Sequence, residues 1–193
     1  MDNTLRIRLA TLDDLPPVLA LMDGIMDWLV AQGRTGQWGA DHWSTTPTLV
    51  EAVERRIARG ELRVAVSPSD AVTSGTIAGV VSVSEQAAPY VAVAPEPELF
   101  INLLATARYF KGSGIGGALI EEARAEARRR RLPLLRVDCY AGDDGKLKSW
   151  YASQGFAEVE PFIVRRPGRP DWPGMLFAER IDLTRHNSPV GIH

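Results

Sequence analysis

Two hydrophobic rhythms alternate along the chain, a period of two in short apolar runs and a period near 3.6 in longer amphipathic ones. Leu5-Arg6-Ile7-Arg8-Leu9 alternates apolar and basic side chains, the pattern of a strand with one solvated face. Thr11 stands as an N-cap before a helix predicted from Leu12 to about Ala31. Asp13 and Asp14 favour its first turn, and Pro16 and Pro17 are tolerated only that near the start. A loop rich in Gly and Trp, Gly33 to Trp43, leads to a second helix that opens at Thr46-Pro47 and stops at Arg59-Gly60. Leu62–Val66 and Thr76–Val83 read as strands joined by Ser67–Gly75. A proline-rich segment, Pro89 to Pro97, precedes an apolar strand, Leu99–Thr106. The pattern then predicts a helix over Ile115–Arg130, a strand over Leu134–Cys139 and a helix over Lys146–Gln154. Strands over Ala157–Val164 and Met175–Asp182 complete it, and the polar tail Thr184–His193 is expected to fray. No repeat or linker interrupts this order, so one α/β domain over residues 1–183 is expected, with residues 184–193 as a tail.

Composition narrows the class. A length of 193 residues fits one domain, and 45% hydrophobic residues is ordinary for a globular core. A formal net charge of −2 supplies no basic field for nucleic acid. The single cysteine, Cys139, excludes an internal disulfide framework and suits a reducing compartment. No apolar run reaches the roughly 18 residues that span a bilayer. Met1-Asp2-Asn3-Thr4 lacks the basic-then-apolar signal pattern, so a cytoplasmic enzyme without membrane contact is expected.

The densest chemical signal is Lys111-Gly112-Ser113-Gly114-Ile115-Gly116-Gly117, set between the apolar strand and the helix that follows. A strand, a glycine turn and a helix start present free backbone N–H groups and a partial positive charge, which suits a phosphate. A P-loop needs Lys and Ser/Thr after its glycines, and here Lys precedes them. Gly112, Gly114 and Gly117 satisfy the Rossmann spacing formally, with Asp138 at about the expected distance of 20 residues. A nucleotide-binding oxidoreductase is therefore one reading of this turn.

Lys111-x-x-Gly114-x-Gly116 also resembles the Gln/Arg-x-x-Gly-x-Gly/Ala signature of the GNAT superfamily of N-acetyltransferases, whose turn holds the pyrophosphate of coenzyme A. Downstream, Leu135–Tyr140 followed by Lys146 to Tyr151-Ala152-Ser153-Gln154-Gly155-Phe156 is similar to the strand and helix of that family, which end in Tyr-x-x-x-Gly-Phe. The resemblance covers about Leu5 to Leu183. It implies a central mixed, mostly antiparallel sheet, splayed at the cofactor site and flanked by helices. It also implies acetyl-CoA as cofactor and transfer of the acetyl group to a primary amine of a small molecule or peptide. A homodimer is a possible assembly, and no metal is expected.

By the same resemblance, Tyr151 holds the position of the general acid, and Leu104, Ala105 and Thr106 that of the strand that bonds the pantetheine arm. Lys111, Gly112, Ser113, Gly114, Ile115 and Gly116 would surround the pyrophosphate, and Asp144 stands where many members carry an Asn that contacts the cofactor. Members with a side-chain base often carry it at positions matching Phe100 or Asn102, neither of which takes a proton here. Glu98 shares their strand parity and is the candidate base acting through water, with Asp138 and His42 as further candidates. Trp38 and His42, in the loop expected over the acceptor, and Asn102 are the candidate substrate contacts, while Arg165, Arg166 and Arg169 offer cations from a second loop. A chain without a dedicated base favours α-amines, about 250-fold more neutral at pH 7 than lysine amines. The alternative function is an acetyl-CoA-binding regulatory module with little catalysis.

Overall fold

The computed structural model describes residues 5–67, 75–142 and 144–184. Most of the predicted Ser67–Gly75 connector and all but the first residue of the Thr184–His193 tail lie outside the described residues. The elements run β1 (Arg6–Leu9), α1 (Leu15–Ala31), α2 (Pro47–Ala58), β2 (Leu62–Val66), β3 (Ile77–Ser84), β4 (Glu98–Thr106), α3 (Ile115–Arg129), β5 (Leu134–Tyr140), α4 (Lys146–Ser153), β6 (Ala157–Val164) and β7 (Trp172–Arg180). The seven strands form one sheet in the order β1-β2-β3-β4-β5-β7-β6. Every pair is antiparallel except β4–β5.

Two boundaries differ from the pattern by three residues, each for a local reason. The helix expected from Leu12 starts at Leu15, after a separate 3-10 turn over Leu12–Asp14. Pro16 and Pro17 donate no N–H, so the Leu12 and Asp13 carbonyls cannot be reached by α-helical bonds from them. Asp14 is the anchor of this entry. Its carboxylate accepts the Thr11 N–H at 2.7 Å and both arms of Arg8 at 2.6 and 2.8 Å. The Arg8 guanidinium holds its pKa down to about 2. The last strand begins at Trp172 rather than Met175, because Trp172 and Pro173 pair with Val164 and Ile163 and lengthen the hairpin.

Helices cover both faces of the sheet. On one face α3 packs over Val81, Leu99, Ile101, Leu135 and Phe177. Gly79 of β3 makes that contact close: a Cβ there would lie 2.9 Å from Leu119 Cδ1 and 3.0 Å from the Ala105 carbonyl oxygen. On the other face α1 and α2 bury Val18, Met22, Met26, Val53 and Ile57 against Leu62, Val64, Val80 and Leu103. Burying a side chain of this kind contributes about 1.5–3 kcal/mol, so the two clusters hold the helices to the sheet.

One irregularity shapes everything that follows. The β4–β5 ladder pairs Glu98–Leu134 through Ile101–Val137 and then stops, although both strands continue. On its other edge β4 carries a bulge, since Ser82 opposes Leu103 while Val83 opposes Ile101, leaving Asn102 as the extra residue. A bulge bends and twists its strand. Beyond Ile101 the strand therefore leaves β5, and a split opens in the sheet.

Candidate active site

The split is lined by two cavities that share one wall. The first, of about 540 Å³, is bounded by Trp28 and Leu29 of α1, Arg34 and Trp38 of the loop after it, and Tyr140. The second, of about 640 Å³, is bounded by Gly112, Gly114, Gly116 and Gly117, by Gln154 and by Tyr151. Leu104, Ala105, Thr106, Arg108, Lys111, Leu147 and Trp150 line both. Leu104 to Thr106 pair with β3 on one edge and, among the described residues, with no strand on the other. Their free edge offers the backbone hydrogen-bonding row that an unpaired strand presents.

The glycine turn closes the mouth of the split. Gly112 and Gly114 adopt φ of +82° and +80°, a region L side chains rarely enter. Gly114 caps α3, and the first bond within the helix runs from the Ala118 N–H to the Gly114 carbonyl. The N–H groups of Ile115, Gly116 and Gly117 are thus left at the helix end, where an anion fits. A Cβ on Gly116 would lie 2.9 Å from Trp150 Cζ2, so only glycine lets the helix meet that wall. Ser113 departs from the expectation. Its N–H and hydroxyl both donate to the Phe110 carbonyl, at 3.1 and 2.6 Å, which turns it back into the preceding 3-10 turn.

Tyr151 sits on α4 against Phe156 and Phe177 and lines the second cavity. Burial is the main cause that raises its phenol pKa, so it keeps its proton. Arg124 of α3 fixes this corner, donating to the Gln154 carbonyl at 2.5 Å and pairing with Glu179 of β7 at 2.7 Å. Gly155 follows at φ +97°, which lets the chain turn from α4 into β6.

Glu98 is corrected by its surroundings. Its carboxylate accepts two hydrogen bonds from Arg136, at 2.5 and 2.6 Å, and both side chains are more than nine-tenths buried. A base needs a free lone pair beside the reacting proton, and this carboxylate is locked in an ion pair at the start of β4. His42 is likewise displaced. Its Nε2 meets Asp27 at 2.7 Å on the outside of the molecule, which raises its pKa, and it lines neither cavity of the split. Asn102 faces a third cavity, where its amide is held by the Ser84 hydroxyl and the Gln86 carbonyl.

The loop after α1 divides its two tryptophans. Trp38 lines the first cavity, whereas Trp43 is buried and meets it edge-on at 6.0 Å. Asp144 borders the same cavity and pairs with Arg34 and Lys146, both at 2.7 Å, which hold its carboxyl well below the usual range. Its charge is thereby balanced, and it clips the loop to the start of α4. The loop arginines are also spoken for: Arg165 pairs with Asp171, Arg166 donates to the Pro170 and Gly36 carbonyls, and Arg169 approaches Asp41.

Asp138 occupies the fork itself. It is the first β5 residue beyond the last β4–β5 pair. Burial pushes its pKa up to about 6, while a hydrogen bond from the Tyr90 hydroxyl at 3.3 Å opposes the rise. Its environment was not readable from spacing, because Tyr90 lies in the proline-flanked segment 48 positions away. Arg108 carried no sequence signal of its own. It stacks 3.7 Å over the Trp28 ring and lines both cavities.

Known proteins with the same architecture are numerous. A GNAT acetyltransferase of Listeria monocytogenes aligns over 91% of this chain and 94% of its own, at 20% identity and a TM-score of 0.65. The ribosomal-protein-alanine N-acetyltransferase of Brucella melitensis aligns over 91% and 99%, at 22% identity and a TM-score of 0.63. The yncA structure of Salmonella typhimurium, solved with its cofactor acetyl-CoA, aligns over 98% and 100%, at 15% identity and a TM-score of 0.64. The comparison with curated proteins found no match. The family model of the acetyltransferase (GNAT) family matches residues 22–156, a span that holds the split strands, the glycine turn and Tyr151 alike. This chain belongs to the GNAT acetyltransferase family.

Proposed function

We propose that the chain transfers an acetyl group from acetyl-CoA to a primary amine, with Asp138 as the base and Tyr151 as the acid. The observation that carries this reading is the split itself, with a free strand edge along it, a glycine-framed helix end at its mouth, Tyr151 in the wall of the second cavity, and Asp138 at the fork, where it lines the third cavity. The residues fit the cofactor. Gly112 and Gly114 leave open space at the turn, Gly116 admits the Trp150 wall, and Lys111 and Arg108 supply cations next to them. Bound there, acetyl-CoA supplies a thioester carbon that a neutral amine attacks, with a C–N bond forming as the C–S bond breaks.

The amides of Ile115, Gly116 and Gly117 would meet the pyrophosphate, and the edge of Leu104 to Thr106 would align the pantetheine arm. Asp138, with its raised pKa, is ionised at neutral pH yet basic enough to accept the amine proton. Tyr151, protonated, donates toward sulfur. Asp138 of β5 offers the base that β4 lacks, which favours transfer over the regulatory alternative.

Release of free thiol from acetyl-CoA in the presence of a panel of primary amines tests the activity; a folded protein that binds acetyl-CoA and turns over none would leave the regulatory reading standing. Gly114→Asp places a carboxylate in the anion cradle on a residue with φ of +80°. Acetyl-CoA affinity should fall by more than tenfold by calorimetry, since about 1.4 kcal/mol suffices for that factor. Unchanged affinity would remove the turn from the site.

The pH dependence has a definite sign. Only ionised Asp138 accepts a proton, so the profile of kcat/KM should carry an acid limb that falls as pH drops through about 6, separate from the rise at higher pH that follows deprotonation of the acceptor amine. In Asp138→Asn that acid limb should vanish along with most of the activity. A limb that persists in the variant would assign the proton transfer to another group.

A further inference from the structure

The third cavity, of about 390 Å³, lies under the C-terminal half of α2 and is roofed by the segment Ala87–Tyr90. At about 30 Å³ per water molecule, that is room for a dozen solvent molecules or a small metabolite. It shares the α1/α2 face of the sheet with the acceptor side of the split, and Asp138 stands in its wall. The roof is held in place. Arg136 donates to the Ala92 carbonyl at 2.9 Å, the Val91 N–H bonds the Ala88 carbonyl, and Tyr90 stacks on Phe162 at 5.7 Å.

The walls carry opposite charges. Asp138 supplies a carboxylate at one wall, and Arg55, Arg56 and Arg59 of the α2 end supply three guanidinium groups at another, with the single carboxylate of Glu61 among them. Arg55 and Arg59 already approach Glu51 and Glu61, at 3.7 and 4.0 Å. Arg56 is different. It is half-buried, and among the described residues its guanidinium makes no hydrogen bond and no ion pair within 4 Å. Burial lowers its pKa, so the charge is held where water solvates it poorly. An unpaired guanidinium in such a place is a binding site for an anion, and its planar fork matches a carboxylate in two hydrogen bonds. A cavity with a carboxylate at one wall and a free guanidinium at another is complementary to a dipolar ligand.

We propose that this cavity selects an acceptor carrying both an amine and a carboxylate, with Arg56 holding the carboxylate and the amine directed to Asp138 at the fork. The inference rests on the acetyl-transfer reading above, and it adds a substrate class, amino acids or close analogues. Arg56 acts through the distal end of the acceptor and touches no reacting atom, so its role is in specificity.

Glycine, leucine, glutamate and γ-aminobutyrate, each beside its carboxamide, are compared as acceptors by thiol release with the full chain. At least one free acid should exceed its carboxamide in kcat/KM by tenfold or more. Arg56→Met should raise KM for that acid by about ten- to a hundredfold, the usual effect of losing a charged hydrogen-bonded pair. Its kcat, the kinetics of the carboxamide and acetyl-CoA affinity should stay as in the wild type, and Arg56→Lys should recover part of the loss. Equal use of acid and carboxamide by the wild type overturns the proposal, as does an equal loss on both acceptors in Arg56→Met. Should no amine be acetylated although acetyl-CoA binds, the transfer reading fails by itself. Calorimetric titration of the same acids then decides the cavity: binding lost in Arg56→Met supports it, and no binding to the wild type, or equal binding to both, overturns it.

Discussion

Replacing Tyr151 with Phe is expected to lower turnover by about 10²–10⁴-fold while acetyl-CoA binds as before. The variant removes one hydroxyl and keeps the ring, so the contacts with Phe156 and Phe177 survive. What disappears is the proton available to the departing sulfur. Its pKa is raised chiefly by burial, so the phenol stays protonated across the range in which Asp138 is ionised. The two groups thus hold complementary protonation states at neutral pH, as an acid and a base in one step require. Stopped-flow or steady-state thiol release, paired with calorimetry for acetyl-CoA, separates the chemical effect from binding. A variant with wild-type turnover would reduce Tyr151 to a packing residue.

The second large effect is on stability. Arg136→Met should cost about 3–5 kcal/mol, because it strands the Glu98 carboxylate in the interior without a counter-charge. Both side chains are less than one-tenth exposed, and the pair is bidentate. The double variant Glu98→Leu, Arg136→Met should recover most of the loss, since a buried ion pair is often replaced by apolar side chains at little cost. Denaturant midpoints of the wild type, both single variants and the double variant close the cycle. A small loss in Arg136→Met would mean that solvent reaches Glu98, and would restore it as a candidate base. Arg136 also carries the Ala92 carbonyl, so the single and double variants share a loosened roof that the cycle cancels.

The strand and helix order was legible because each element keeps one clean period. Lys111 to Gly117 and Tyr151 to Phe156 pointed to their place because turn glycines and the helix start impose local, contiguous demands. Which of the three candidate bases stands at the fork was not legible. Glu98 has the strand parity of a catalytic carboxylate, but parity does not reveal that Arg136 lies directly beside it on the parallel partner. His42 fell in the expected loop, yet one hydrogen bond to Asp27 turns it outward, and such a contact leaves no trace in spacing. The bulge at Asn102 was invisible for a similar reason, since it exists only in the register between β3 and β4. Arg56 reads in sequence as one cation among three at the end of a helix. Its lack of an ion pair among the described residues belongs to the folded chain alone.

Cys139 follows Asp138 on β5 and so faces the opposite side of the sheet, beneath α3 and α4. It is the chain's only cysteine, it is 4% exposed, and burial pushes its thiol pKa up to about 12. A thiol of that kind is inert to reagents that attack thiolates. Assays that count free sulfhydryl therefore record coenzyme A without a background from the native protein. The same sulfur doubles as an internal stopwatch: its rate of alkylation measures how often the layer of α3 and α4 lifts away from the sheet. If occupancy of the split pins α4, acetyl-CoA slows that clock before any acceptor is added.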